Sequence, residues 1–250
     1  MDTFQVVSLT AALLSIATLV GVFSYLRRGP EDTFRVAVIR AINMPVALVV
    51  HRLKILGNPG SVPETGPCIL VANHQSGCDP CLVALVTRRW IRFLMAREYY
   101  ETRGVRWFFR LLECIPVNRD GRDLTATRQA LEALRTGQVV CIFPQGGIRE
   151  PEDQLVGKAG VALLAMHAKV PVVPLYLEGT PESDSVYAAI FWPSRSRVYC
   201  GKPLYAHARG GKPTREEMEH FTTEILSAIS ELKKVAETTR LKENKMERVG

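Results

Sequence analysis

Val71-Ala72-Asn73-His74-Gln75-Ser76-Gly77-Cys78-Asp79-Pro80 is the stretch on which the fold of this chain turns. A short apolar run, Cys68 to Val71, leads into it and reads as a buried strand. Asp79-Pro80 reads as a helix start, with Asp at the N-cap and Pro at the first helical position. His74 and Asp79 then stand at the two ends of one tight loop after a strand. In a loop that doubles back, the carboxylate reaches one imidazole nitrogen and leaves the other open. An imidazole held in one tautomer by a carboxylate is a general base. The competing reading makes Asp79 only a cap and His74 only a loop residue. With five His in the chain, one such spacing is unremarkable by chance. What separates the two readings lies further along.

Outward from this stretch, strands and helices alternate. Residues 68–72, 91–96, 114–117, 139–143, 172–177 and 197–200 read as strands, and 80–87, 106–112, 123–136, 158–168 and 214–233 as helices. Gly137 takes the C-cap role, and Thr214 with Glu217 three residues on forms a capping box. The alternation argues for an α/β domain with a mostly parallel sheet flanked by helices. Sites in such sheets sit at the carboxyl ends of strands, where His74 lies. The run Val170-Pro171-Val172-Val173-Pro174-Leu175 lacks two N–H donors and is expected at an edge or distorted.

The amino-terminal part has another character. Phe4 to Leu26 contains no charged residue. At 1.5 Å per residue it spans roughly 35 Å, enough to cross a bilayer core. Arg27, Arg28, Arg35 and Arg40 follow, which places the C-terminal side toward the cytoplasm. Ser8, Thr10, Ser15, Thr18 and Ser24 temper the run, so an anchor within one leaflet is the alternative. Phe34 to Leu56 is largely apolar but carries Arg35, Arg40, His51, Arg52 and Lys54, with Pro45 in its middle. It reads as two short interfacial helices, or equally as an amphipathic helix packed on the domain. The expected division is 1–57 for the membrane-binding anchor and interfacial helices, 58–237 for the folded domain and 238–250 for a charged, frayed tail. The loop 57–63 is the boundary.

Net charge is +7 and the isoelectric point is near 9.2. That balance points to an anionic partner. No aromatic-rich RNA-binding stretch or Cys/His finger spacing accompanies it, so a membrane surface or an anionic substrate is favoured over nucleic acid. The six Cys lie mostly in apolar runs and fit a reducing compartment. His74, Cys78 and Cys81 have zinc-like spacing but find no fourth ligand, and no metal is expected.

Further strand ends carry chemistry. Arg119 follows 114–117 and suits a phosphate. Pro144-Gln145-Gly146-Gly147-Ile148-Arg149 follows 139–143; its paired glycines let backbone N–H groups approach an anion, and Arg149 adds charge. In order, His-x4-Asp, Ile-Pro-Val-x-Arg, Phe-Pro-x-Gly and Val-Pro-Val-Val-Pro resemble the glycerolipid acyltransferase superfamily, best known as 1-acylglycerol-3-phosphate acyltransferases. The resemblance covers roughly Lys54 to Leu204. It implies that His74 is the general base and Asp79 its orienting partner. It implies that Arg119 binds the acceptor phosphate, that Gly146 belongs to the glycerol-phosphate loop, and that Pro171 and Pro174 form the last block. Asn73, Gln145, Gly147 and Arg149 join the implied substrate-binding residues.

The implied reaction moves a fatty acyl group from acyl-CoA or acyl-carrier protein to the free hydroxyl of a lysophospholipid at a membrane. It needs no separate cofactor. The chain also departs from the family pattern. The third block usually reads Phe-Pro-Glu-Gly-Thr-Arg; here Gln145 replaces the carboxylate and Arg149 is displaced by one position. Glu113 stands where the second block often has Gly. These changes keep the base and open the choice of acceptor to another lysolipid. They also leave a lipid-binding homologue without catalysis, or a thioesterase using water, as alternatives. The Gly-x-Ser-x-Gly elbow of serine hydrolases is absent.

Overall fold

A computed structural model describes residues 34–119, 123–145, 158–183, 186–206 and 213–247. The charge-free stretch 4–26 lies outside the described residues. Seven strands form one sheet: β1 Lys54–Gly57, β2 Cys68–Ala72, β3 Ile91–Ala96, β4 Ile115–Val117, β5 Val139–Ile142, β6 Val172–Glu178 and β7 Arg197–Cys200. Their order across the sheet is β1-β7-β6-β2-β5-β3-β4. All neighbours are parallel except β6 and β7. The carboxyl ends of β2, β3, β4, β5 and β6 therefore share one edge.

Period-two alternation decides which helices cover which face. Cys68, Leu70 and Ala72 of β2 point to one side, with Ala47, Leu82, Val83 and Ala189. These come from the π-helical turn (Val46–Val50) that follows α1 (Phe34–Pro45), from α2 (Asp79–Val83) and from α7 (Val186–Phe191). Ile69 and Val71 point to the other side, with Ala130, Leu134, Ala162, Ala165, Phe221 and Ile225. These belong to α5 (Leu124–Arg135), α6 (Lys158–Ala168) and α8 (Arg215–Glu247). Two further short helices, α3 (Arg97–Tyr100) and α4 (Arg106–Leu111), fill the connection from β3 to β4. β2 and β5, covered on both faces, are apolar and buried throughout, as central parallel strands are.

Local chemistry sets the element ends. Gly137, at φ +84, closes α5: its N–H donates to Leu134 O, and Gln138 N donates to Ala133 O, the paired bonds of a Schellman motif. The capping box before α8 is formed both ways. Glu217 N donates to Thr214 Oγ1 at 3.2 Å, and Thr214 N donates to Glu217 Oε2 at 2.9 Å. Pro45 supplies no N–H, and the chain widens after it into the π turn, where His51 N reaches Val46 O.

Four expectations are corrected. Lys54–Gly57 is not the end of an interfacial helix but the edge strand β1, in register with Arg197–Cys200. Arg52, at φ +44, turns the chain from the π turn toward it. The loop 57–63 is accordingly part of the domain, with Asn58 N donating to Cys200 O at 3.0 Å. The carboxyl-terminal helix does not end at Lys233: α8 continues to Glu247. Ala236 packs on Tyr176 and Tyr199, and Arg197 pairs with both Glu178 and Glu243. Finally, the proline-bearing β6 is central, between β7 and β2. Pro174 O accepts from Gly201 N at 2.9 Å just past the end of β7, so the missing proline donor falls where that ladder stops.

Candidate active site

His74 follows β2 in a loop that Asp79 closes. Asp79 is fully buried, and its Oδ2 accepts three hydrogen bonds: from His74 Nδ1 at 2.8 Å, Gln75 N at 2.7 Å and Ser76 N at 2.9 Å. The carboxylate points back into the loop and caps nothing. Cys78 is the N-cap, and Asp79 and Pro80 are the first two helical residues, so the helix starts one residue earlier than expected. The cap-only reading of Asp79 is thereby excluded.

A carboxylate only accepts, so neutral His74 carries its proton on Nδ1 and its lone pair on Nε2. Among the described residues no hydrogen bond occupies Nε2. The His74 side chain keeps 16% of its surface exposed, enough for a ligand to reach the ring edge. Its face stacks on Phe143 from the end of β5, with centroids 4.3 Å apart and planes at 22°. Phe143 in turn stacks on Phe93 of β3. Phe143 carries no charge or polar atom and drew no role from sequence, although it opens the Phe-Pro block.

The backbone of the base is held as firmly as its ring. Asn73 makes a reciprocal pair with β6: Nδ2 donates to Leu177 O at 2.9 Å, and Leu177 N donates to Oδ1 at 2.7 Å. Asn73 is buried and both ends of its amide are engaged. It positions the loop that carries the base. Gln145, just past β5, accepts a hydrogen bond from His74 N through Oε1 at 2.5 Å.

The remaining predicted residues are dispersed. Arg119 lies beyond β4, on the same sheet edge as His74 but three inter-strand steps away, about 14 Å at the usual spacing. Its Nε is 3.1 Å from Glu98 Oε1, and its guanidinium lies 5.6 Å from the centre of the Tyr99 ring. Beside it Arg97 donates to Asn118 Oδ1 at 2.6 Å. Pro174 is buried within the sheet opposite Val71, and Pro171 precedes β6 at the opposite edge from His74. Both shape the strand and neither reaches the site, again a correction. Gly146, Gly147 and Arg149 lie outside the described residues. Among the described residues no three His, Cys, Asp or Glu side chains converge on a metal position. Burial pushes the thiols of Cys78 and Cys81 up to about 12 and about 11, which leaves them protonated at neutral pH.

Glu113, the departure noted in the second block, has φ +56, the left-handed region that favours glycine. Its carboxylate bridges Arg35 of α1 at 2.5 Å and Arg92 of β3 at 2.9 Å.

Residues 56–178 match the Acyltransferase family model. The chain is 23% identical over 176 residues to the 1-acyl-sn-glycerol-3-phosphate acyltransferase of Bacillus subtilis, covering 70% of this chain and 85% of that one. It is 26% identical to the enzyme of that name from Pseudomonas aeruginosa, covering 68% and 67%. It is 30% identical to the human beta form, covering 47% of this chain and only 44% of the relative. The crystal structure of the Thermotoga maritima 1-acyl-sn-glycerophosphate acyltransferase superposes with a TM-score of 0.57 at 23% identity, over 93% of this chain and 99% of the other, and so shares its fold. With the four blocks in order, the base and its carboxylate in contact and the Acyltransferase model matched around them, residues 56–178 form an acyltransferase domain, and the chain is similar to the 1-acyl-sn-glycerol-3-phosphate acyltransferases.

Proposed function

We propose that the chain transfers a fatty acyl group from the thioester of acyl-CoA or acyl-carrier protein to the free hydroxyl of 1-acyl-glycerol 3-phosphate, giving phosphatidic acid. The observation that carries this is the His74–Asp79 contact, with Nδ1 bound and Nε2 open at a strand carboxyl end. The acceptor oxygen attacks the thioester carbonyl while Nε2 takes its proton. Asp79 stabilises the imidazolium. The carbon–sulfur bond then breaks, and the proton passes to the leaving thiolate. No step calls for a further cofactor or a metal ion. The names of the relatives support the acceptor. Arg119 is the side chain on this edge suited to its phosphate, by exchanging Glu98 for the ligand.

A membrane-bound site fits these substrates, since drawing an acyl chain through water costs about 0.8 kcal/mol per CH₂. Phe34, Val38 and Ile42 recur every four residues along α1 and are exposed, as is Val49 on the π turn. Phe191 and Trp192, also exposed, follow beside that turn, where Ser194 N donates to Val50 O. This apolar surface adjoins the charge-free stretch 4–26 in sequence. Together they support an anchored enzyme, and Arg27 and Arg28 after the charge-free stretch favour a domain on the cytoplasmic side. No helix among the described residues is long and apolar enough to cross a membrane.

The test is acyl transfer in nanodiscs, with labelled acyl-CoA and acyl-carrier protein offered lysophosphatidic acid and a panel of other lysolipids. Transfer to lysophosphatidic acid is expected, falling about 10²–10⁴-fold in His74→Ala without loss of fold. Full activity in that variant overturns the mechanism. Product with only another lysolipid moves the acceptor, and free fatty acid without acceptor makes the enzyme a hydrolase.

A further inference from the structure

We propose that Gln145 is a positioning residue for the base, fixing His74 through its backbone, rather than a ligand of the acceptor phosphate. The proposal rests on His74 being the base, as above. The register of the sheet carries it. β2 and β5 are paired in parallel up to Val71 opposite Ile142. His74 and Gln145 each lie three residues further on, where the strands have ended and main-chain pairing has ceased. The His74 N–H then lacks a strand carbonyl, and the Gln145 side-chain oxygen takes that place at 2.5 Å. The side chain continues the ladder by one bond.

Phe143, two residues earlier, stacks on the imidazole at 4.3 Å. One short segment after β5 therefore holds the base twice, by ring face and by peptide. The bond to His74 N needs an acceptor oxygen and nothing else. An amide carbonyl and a carboxylate both supply one, so exchanging Gln for the Glu usual in this block leaves the role intact. The departure from the family pattern then says nothing about the acceptor.

Amide hydrogen exchange at His74 and steady-state kinetics with acyl-CoA and lysophosphatidic acid, both on the full chain in nanodiscs, test this. In Gln145→Leu the His74 amide is expected to exchange at least tenfold faster. kcat should fall at least tenfold, with KM for lysophosphatidic acid unchanged within twofold. Gln145→Glu should restore amide protection and most of kcat. Unchanged exchange at His74 overturns the proposal, and so does a rise in KM at constant kcat, which would make Gln145 an acceptor ligand. Gln145→Ala serves if the leucine variant does not fold. If the wild type acylates no acceptor, the acyl-transfer reading fails, and the exchange experiment still decides whether Gln145 holds His74.

Discussion

The loop after β2 and the loop after β4 open on the same edge of one sheet, yet they are built by opposite rules. After β2, Asn73, His74, Gln75 and Ser76 all have polar atoms bound to buried or half-buried partners on two neighbouring strands and on the loop itself. After β4, Arg119 and its partner Glu98 are about half exposed and joined by a single ion pair. The first arrangement fixes one atom, Nε2 of His74, because proton transfer needs its geometry set beforehand. The second leaves charged side chains free to exchange one partner for another, as recognition of an anionic head group requires. One sheet edge thus joins a rigid base to an adaptable anion contact.

If the contrast is real, cutting the rigid side must cost fold as well as rate. Asn73→Leu keeps the branched shape of the side chain and leaves both Leu177 backbone groups buried without partners. At about 1–3 kcal/mol for each such group, a loss of roughly 2–6 kcal/mol is expected, read from the denaturant midpoint at constant slope. A change below about 0.5 kcal/mol would show that β6 does not hold the base, and the comparison would collapse.

The adaptable side should behave in reverse. Arg119→Ala removes an exposed pair of the kind that contributes about 0–1 kcal/mol, so stability should stay within about 0.5 kcal/mol of wild type. KM for lysophosphatidic acid should rise about tenfold, the loss of about 1.4 kcal/mol of phosphate interaction. kcat should hold. A stability loss with unchanged KM would make Arg119 a structural tie to α3 and would remove the proposed phosphate contact.

The two sides were also unequally legible. His74 and Asp79 could be paired from sequence because a strand signal and a helix start fix both ends of a five-residue loop. The parallel sheet followed from apolar runs such as Val139–Ile142, each followed or preceded by a helical period. What stayed hidden depends on register between distant strands. Nothing local to Asn73 indicates that its amide faces Leu177, 104 residues on, and nothing local to Gln145 indicates that it faces His74. β1 was missed because four residues of edge strand, led by Arg52-Leu53-Lys54, carry too little periodicity to stand out from the helical run before them. Likewise, the last turns of α8 read as a charged tail, since Glu243 and Ala236 gain meaning only from Arg197 and Tyr199 across the space between helix and sheet.

Glu113 offers the finest test, because it sits at the entrance to β4 and mixes both rules. Its backbone has the left-handed conformation that costs a non-glycine residue on the order of 1 kcal/mol. Its carboxylate ties α1, through Arg35, to β3, through Arg92. Glu113→Ala discards the tie and keeps the strained backbone. Glu113→Gly discards the tie and relieves the strain. The glycine variant is therefore expected to be about 1 kcal/mol more stable than the alanine variant, by midpoints measured side by side. Both should show faster proteolysis within α1, since both lose the bridge that docks it. Equal midpoints would mean that the backbone at 113 stores no strain, and glycine in the family pattern would need another reason. Unchanged proteolysis would mean that α1 is held by its apolar face alone. Then Glu113 would belong with the exchangeable charges on the β4 side, and the tie from helix to sheet would be incidental.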